Sequence, residues 1–344
     1  MSADLQSDQS LQPAPHAADA PLAALLRAAA IAPLDDTGWL RVTGPDRLRW
    51  LNGMLTNSIA QLAPGEGCYN FALNAQGQIQ ADLTAFLLED SILLETSRDQ
   101  IEKLLAHLNR FIIMDEVELA DITAERSDLL VAGPDAGRLL AAIGLSSAPL
   151  APPQLTHLRW QSASVDLIHA HSPLVPKFEI WTDSSAFDLI AHELRNAGAF
   201  EVDSAALGQL RILEGTPRVG TDITDRNLPQ ETGQTRALHF TKGCYLGQEI
   251  VERIHSRGGV HRAFSGFALT GALPAPGTQL EAEGKSVGEL TSVAAIQLPD
   301  QPAPIQLALG IIRREALENA QARNLTLTYP GGTATPIALP FAVP

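Results

Sequence analysis

The hydrophobic pattern changes near residue 260, and that change divides the chain more sharply than any other feature. Beyond Arg262 the apolar residues fall into short period-two runs at 264–270, 278–282, 285–292, 307–312 and 325–329, separated by Gly and Pro. Such spacing predicts a small antiparallel barrel or sandwich over 262–344. Upstream, strand-like and helix-like stretches alternate. Strands are expected at 38–43, 68–73, 78–88 and 116–122, helices at 45–59 and 98–110, and a turn at Asn74-Ala-Gln-Gly77. That β-α-β-β-α-β order is the ferredoxin-like arrangement, assigned to 20–125 and preceded by a short helix that Pro21 opens. Residues 126–261 predict a second mixed unit: strands at 128–132, 155–160, 164–170 and 177–182, helices at 134–143, 184–196 and 203–213, and a Pro-rich surface loop at 146–153. Residues 1–19, rich in Ala, Ser, Gln, Asp and Pro, predict a disordered tail. The expected class is therefore α+β, two mixed units followed by a barrel.

Charge and cysteine content narrow the function classes. A formal net charge of −15 argues against a nucleic-acid coat or a polybasic membrane binder, because a phosphate surface repels such a chain on average. No apolar run approaches the ~18 residues of a membrane span, and the start of the chain lacks the basic and apolar regions of a signal peptide. A cytoplasmic location is expected, with no membrane and no direct nucleic-acid partner. Two cysteines far apart, Cys68 and Cys244, do not make a disulfide framework or a thiolate metal cage, so no metal site is expected.

The stretch 215–262 has neither helical nor strand periodicity, and a connection that long is functional or disordered. Phe240, Tyr245, Leu246, Ile250 and Val251 argue for order. It also reverses the charge of the chain: Arg236, Lys242, Arg253, Arg257 and Arg262 stand against Glu249 and Glu252, joined by His239, His255 and His261. An acidic chain that gathers its cations in one segment presents a local site for an anion. Within it, Lys242-Gly-Cys-Tyr-Leu-Gly-Gln-Glu249 reads as a tight loop entering a short helix. Lys242 beside Cys244 favours the thiolate, and Gln248 and Glu249 offer an amide and a carboxylate to a heterocycle. The plainer alternative makes Gly247 a helix start, Glu249 a first-turn acid and Cys244 a small filler. Cys68, within a strand, is expected in the core.

The run Phe240-Thr-Lys-Gly-Cys-Tyr-Leu-Gly-Gln-Glu-Ile-Val-Glu-Arg253 resembles the signature of the YgfZ family of folate-binding proteins. Leu210–Gly220 and Leu228-Pro-Gln-Glu231 resemble the lead-in that this family shares with the T-protein, the aminomethyltransferase of the glycine cleavage system. Val42–Asn57 and Leu73–Asp82 resemble the N-terminal motifs of that superfamily. The resemblance implies three domains in a ring around a central tetrahydrofolate site. It implies a role in assembly or repair of iron–sulfur proteins, with such proteins or cluster-assembly factors as partners and an indirect link to cluster-carrying tRNA-thiolation enzymes. Cys244 and Lys242 are then the expected reactive pair, and Asp82, Arg211, Glu214, Gln248, Glu249 and Arg253 the expected folate contacts.

Two departures from the T-protein bear on activity. The transferase carries adjacent aspartates where this chain has Ala81 and Asp82, and a pterin-binding glutamate where it has Leu213, with Glu214 one place later. One residue on a helix turns a side chain by about 100°. These departures favour binding and maintenance over aminomethyl transfer, which stands as the rival, with a protein-interaction scaffold as a third possibility.

Overall fold

The computed structural model describes residues 21–146, 151–323 and 325–343. The expected tail and part of the expected loop at 146–153 lie outside them. The chain forms two sheets and a closed barrel.

The first sheet has five strands in the order Gly67–Leu73, Ile79–Leu87, Ile92–Ser97, Thr37–Thr43, Glu118–Asp121, with every pairing antiparallel. The β-α-β-β-α-β expectation thus gains a strand, Ile92–Ser97, which the short apolar run Ile-Leu-Leu supplies directly after the turn at 88–91. The helix expected at 45–59 is cut to Arg47–Asn52. The remainder is loop, with Leu55 and Ile59 still fully buried under the sheet. Strand residues alternate faces. In Ile79–Leu87, Ala81, Leu83 and Ala85 therefore enter the core with helix Ile101–Asn109, while Asp82 and Thr84 turn to the other side.

The second sheet runs Phe200–Glu201, Ala30–Pro33, Ser127–Ala132, Lys177–Thr182, Ala163–Ala170, Gln154–Trp160. Ala30–Pro33 pairs antiparallel with Ser127–Ala132, so the segment at 21–33, assigned by sequence to the first unit, builds the second. Its apolar residues carry no signal of which sheet they will join. The two sheets meet through Trp39, Phe86 and Trp181, whose rings pack edge to face at 5.4–5.6 Å.

Helix Ser204–Glu214 is started by Asp203, whose side chain accepts from Ala206 N at 2.9 Å, and stopped by Gly215 at φ +67. Leu210 and Leu213 bury it against barrel residues Leu309 and Phe341. The barrel opens with strand Arg262–Gly271 and closes through six antiparallel strands. A helix at Arg314–Arg323 follows its Ile305–Arg313 strand, where no element was expected.

Candidate functional site

A cavity of about 590 Å³ lies between the two sheets, helix Ser204–Glu214 and the segment that follows it. The first sheet contributes Tyr69, Asp82 and Glu95, the second contributes Lys177 and Glu179, and Glu214 and Arg236 come from the helix and the segment after it.

Asp82 is held from both sides. Tyr69 Oη donates to Oδ2 at 2.7 Å and Gln100 Nε2 to Oδ1 at 2.9 Å. Burial pushes its carboxyl up, against the lowering effect of those two donors. The Arg236 guanidinium lies over the Tyr69 ring, 4.1 Å from its centre. Burial lowers its affinity for a proton, and Tyr69, Asp82, Glu214 and Glu95 oppose that. No carboxylate lies within 4.0 Å of it among the described residues. Arg236 therefore faces the cavity as a cation with hydrogen-bonding capacity to spare.

Glu214, in the last turn of its helix, also faces the cavity and accepts from Ser172 Oγ. Burial raises its carboxyl, and Ser172, Lys177 and Arg236 pull the other way. Leu213, one residue earlier, is fully buried against the barrel. The one-residue shift thus delivers Glu214, not Leu213, to the cavity. Position 81 needs a matching correction. Ala81 faces the apolar core, so an aspartate there would be sealed among hydrophobic side chains and would not share the cavity with Asp82. Ala81 by itself says little against transfer chemistry.

Arg211 reaches the cavity wall but is occupied. Its Nη1 donates to Asp222 Oδ2 at 2.6 Å and to Thr216 O at 2.9 Å, and its Nη2 to Ser292 Oγ at 2.8 Å. Asp222 is the acid it pairs with, and the network ties the helix to the barrel.

The signature segment lies apart from this cavity. Lys242, Cys244, Gln248, Glu249 and Arg253 are all absent from its lining. Lys242 turns inward, and its ammonium donates to Leu55 O at 2.7 Å and to Asn57 O. Desolvation lowers it to about 8, and the thiol whose charge it senses is that of Cys68. The expected pairing of Lys242 with Cys244 is therefore replaced by a clamp on backbone carbonyls, because the loop folds its lysine under itself. Cys244 is exposed and Cys68 buried, with burial pushing the Cys68 thiol up to about 11. Gln248 Oε1 accepts from Tyr245 N at 3.2 Å, closing the loop on itself. Glu249 and Arg253 are exposed on helix Gln248–Arg257.

Glycine and the N-terminal motif explain how the loop docks. Gly247 sits at φ +81, where an added Cβ would lie 2.6 Å from Asn74 O and 3.1 Å from Gly77 Cα. Leu246 N donates to Gly53 O at 3.0 Å, His239 N to Thr56 O at 3.2 Å, and Asn57 Nδ2 to Arg236 O at 2.8 Å. The 52–57 motif thus receives the signature segment, a larger role than shaping a helix end. Sequence reasoning missed Tyr69, Glu95, Lys177 and Glu179 as cavity residues and counted Arg236 only as a cation. The available signal was charge inside otherwise apolar strands, as in Lys-Phe-Glu-Ile-Trp-Thr182.

Two mixed sheets with a cavity between them, followed by a closed six-stranded barrel, define the aminomethyltransferase-like fold. The same architecture occurs in the glycine cleavage system aminomethyltransferase T from Bartonella henselae, with a TM-score of 0.81 at 21% identity over 94% of this chain and 88% of that one. The chain belongs to the GCVT N-terminal domain family, whose model matches residues 12–242, and residues 262–344 match the CAF17 C-terminal β-barrel domain. The tRNA-modifying protein YgfZ of Yersinia pseudotuberculosis is 28% identical over 86% of this chain and 89% of its own length. A chloroplastic protein of Arabidopsis thaliana, named as a transferase, is 26% identical over 82% of this chain, which spans 65% of that protein. No helix among the described residues is long and apolar enough to cross a membrane.

Proposed function

We propose that this protein is a cytoplasmic tetrahydrofolate-binding accessory factor for the assembly or repair of iron–sulfur proteins, among them enzymes of tRNA modification. The observation that carries the folate part is the cavity between the two sheets. At about 590 Å³ it falls within the roughly 300–1,000 Å³ of small-molecule sites. Its donor set suits folate: Asp82 and Glu214 are acceptors for ring N–H groups, and Arg236 is a cation for the anionic tail. Folate, when bound, supplies a one-carbon carrier and a reduced pterin. Tyr69 and Gln100 fix the Asp82 carboxyl, and Ser172 fixes that of Glu214. The name of the Yersinia relative supports the tRNA link, and the exposed thiol of Cys244 supports chemistry at the surface.

Purification from cells followed by folate analysis, with cluster-dependent enzyme activities measured in a deletion strain, tests both parts. Bound folate, and failure of Cys244→Ala to restore those activities, are expected. A folate-free protein sinks the ligand assignment, and full restoration by Cys244→Ala sinks the thiol's role. Aminomethyl transfer remains the second reading, favoured by Asp82 facing the cavity. It requires methylenetetrahydrofolate to form from an aminomethylated lipoyl carrier.

A further inference from the structure

The cavity wall formed by strands Ile92–Ser97 and Lys177–Thr182 carries a second group of side chains, distinct from Asp82, Glu214 and Arg236. Lys177 and Glu179, two residues apart, project to one side of their strand, with Nζ 3.1 Å from Oε1. Glu95 reaches across from the other sheet to the Glu179 carboxyl, whose charge raises its proton affinity. Asp128 stands behind, accepting from Thr37 Oγ1 at 3.0 Å. Neither Asp128 Oδ1 nor Glu179 Oε2 has a donor among the described residues.

Exposure sorts these groups into two layers. The Glu179 side chain is 3% exposed and that of Lys177 30%. Glu95 and Lys177 therefore form the surface of the wall, and Glu179 is the backing that touches both. Burial raises Glu95, reinforced by Glu179 and Asp82 and opposed by Lys177. Burial would lower Lys177, but Glu179, Glu95 and Glu214 outweigh it and hold the ammonium charged. The wall thus offers a permanent donor beside an acceptor. That pairing complements an edge carrying N–H next to C=O, as in a cyclic amide.

We propose that Glu95 and Lys177 recognise the lactam edge of a planar heterocycle, Glu95 accepting its N–H and Lys177 donating to its carbonyl oxygen, with Glu179 as the positioning residue. The inference rests on the folate assignment and deepens it, because it states which edge of the pterin faces which wall.

The test compares tetrahydrofolate with its 4-amino-4-deoxy analogue at the same oxidation state. The analogue reverses the donor and acceptor order of that edge. By equilibrium titration the wild type should prefer the 4-oxo ring by about tenfold or more, since a buried polar pair is left mismatched by the other. Glu95→Gln and Lys177→Met should each weaken tetrahydrofolate binding by about tenfold. Lys177→Met should also bring the two ligands to within roughly threefold of each other. Glu179→Gln should shrink the same ratio, which a merely structural role would not do. The wild-type ratio needs no variant, so a variant that fails to fold leaves the test standing. Equal binding of both rings by the wild type, or an unchanged ratio in Lys177→Met, overturns the inference while the folate assignment survives. Binding of neither ring overturns both.

Discussion

The cavity and the signature loop are built on opposite plans. The cavity gathers residues from positions 33 to 236, spread over several strands, a helix and connections, and buries charge that perturbs its carboxyls. The loop draws its residues from one contiguous run, and most of that run serves its own docking. Lys242 grips carbonyls, Tyr245 enters a small core with Phe71 and Val251, Gln248 caps the loop, and Gly247 makes room for the Asn74–Gly77 turn. Cys244 and Glu249 are left exposed, and of the two Cys244 carries the nucleophile. A short motif can be highly specific because a tight fold demands it, with few of its positions left for chemistry.

The largest effect expected is on the cavity side. Asp222→Asn leaves Arg211 without its buried counter-charge and should cost about 3–5 kcal/mol of stability. Thermal melting checks the cost. Folate affinity should fall while the alkylation rate of Cys244 in the folded protein holds. Gly247→Ala should do the reverse at about 1–3 kcal/mol, the scale of a strained positive-φ residue. Iodoacetamide labelling of Cys244 should change in rate, with folate titration close to wild type. If either substitution moves both readouts equally, the two regions are not independent.

A smaller effect concerns pH. Asp128 and Glu95 are held well above ordinary carboxyl values by burial, with Glu179 the leading charge against each. A raised folded value means that the native chain binds protons more tightly than the unfolded one. The stability from this cluster is therefore full below the unfolded range near ~4 and is lost as pH rises through the folded values. Melting temperatures at pH 5 and pH 8 should differ in that direction, and Asp128→Asn should narrow the gap. An unchanged gap would mean that these acids are solvated. Smallest of all is Lys242→Met. It removes two hydrogen bonds, about 1–2 kcal/mol, and should leave the pH profile of Cys244 alkylation unmoved. A shift of that profile to higher pH would restore the thiol-tuning role that sequence adjacency suggested.

That last contrast shows what the sequence revealed and what it hid. The barrel was legible because its strands are short, alternating and punctuated by Gly and Pro, and helix Ser204–Glu214 because Asp203 and Gly215 mark its ends. Strand Ile92–Ser97 was hidden, since six residues after a tight turn look like the tail of the preceding strand. Asp82 and Glu214 emerged from resemblance alone. Lys177 and Glu179 looked like ordinary strand charges, because the surface they face is made by the other sheet. Adjacency misled at Lys242, where neighbours in the chain point apart, and at Ala81, where strand pleating sends consecutive residues to opposite faces. Side-chain direction, not residue identity, was the missing information.

The separation of ligand site from thiol is tested most directly by titrating tetrahydrofolate into wild type and Cys244→Ala side by side. Equal affinities are expected, with the cavity intact in both and only the wild type sustaining cluster-dependent enzymes in cells. Loss of folate binding in Cys244→Ala would place the thiol at the ligand and contradict the account.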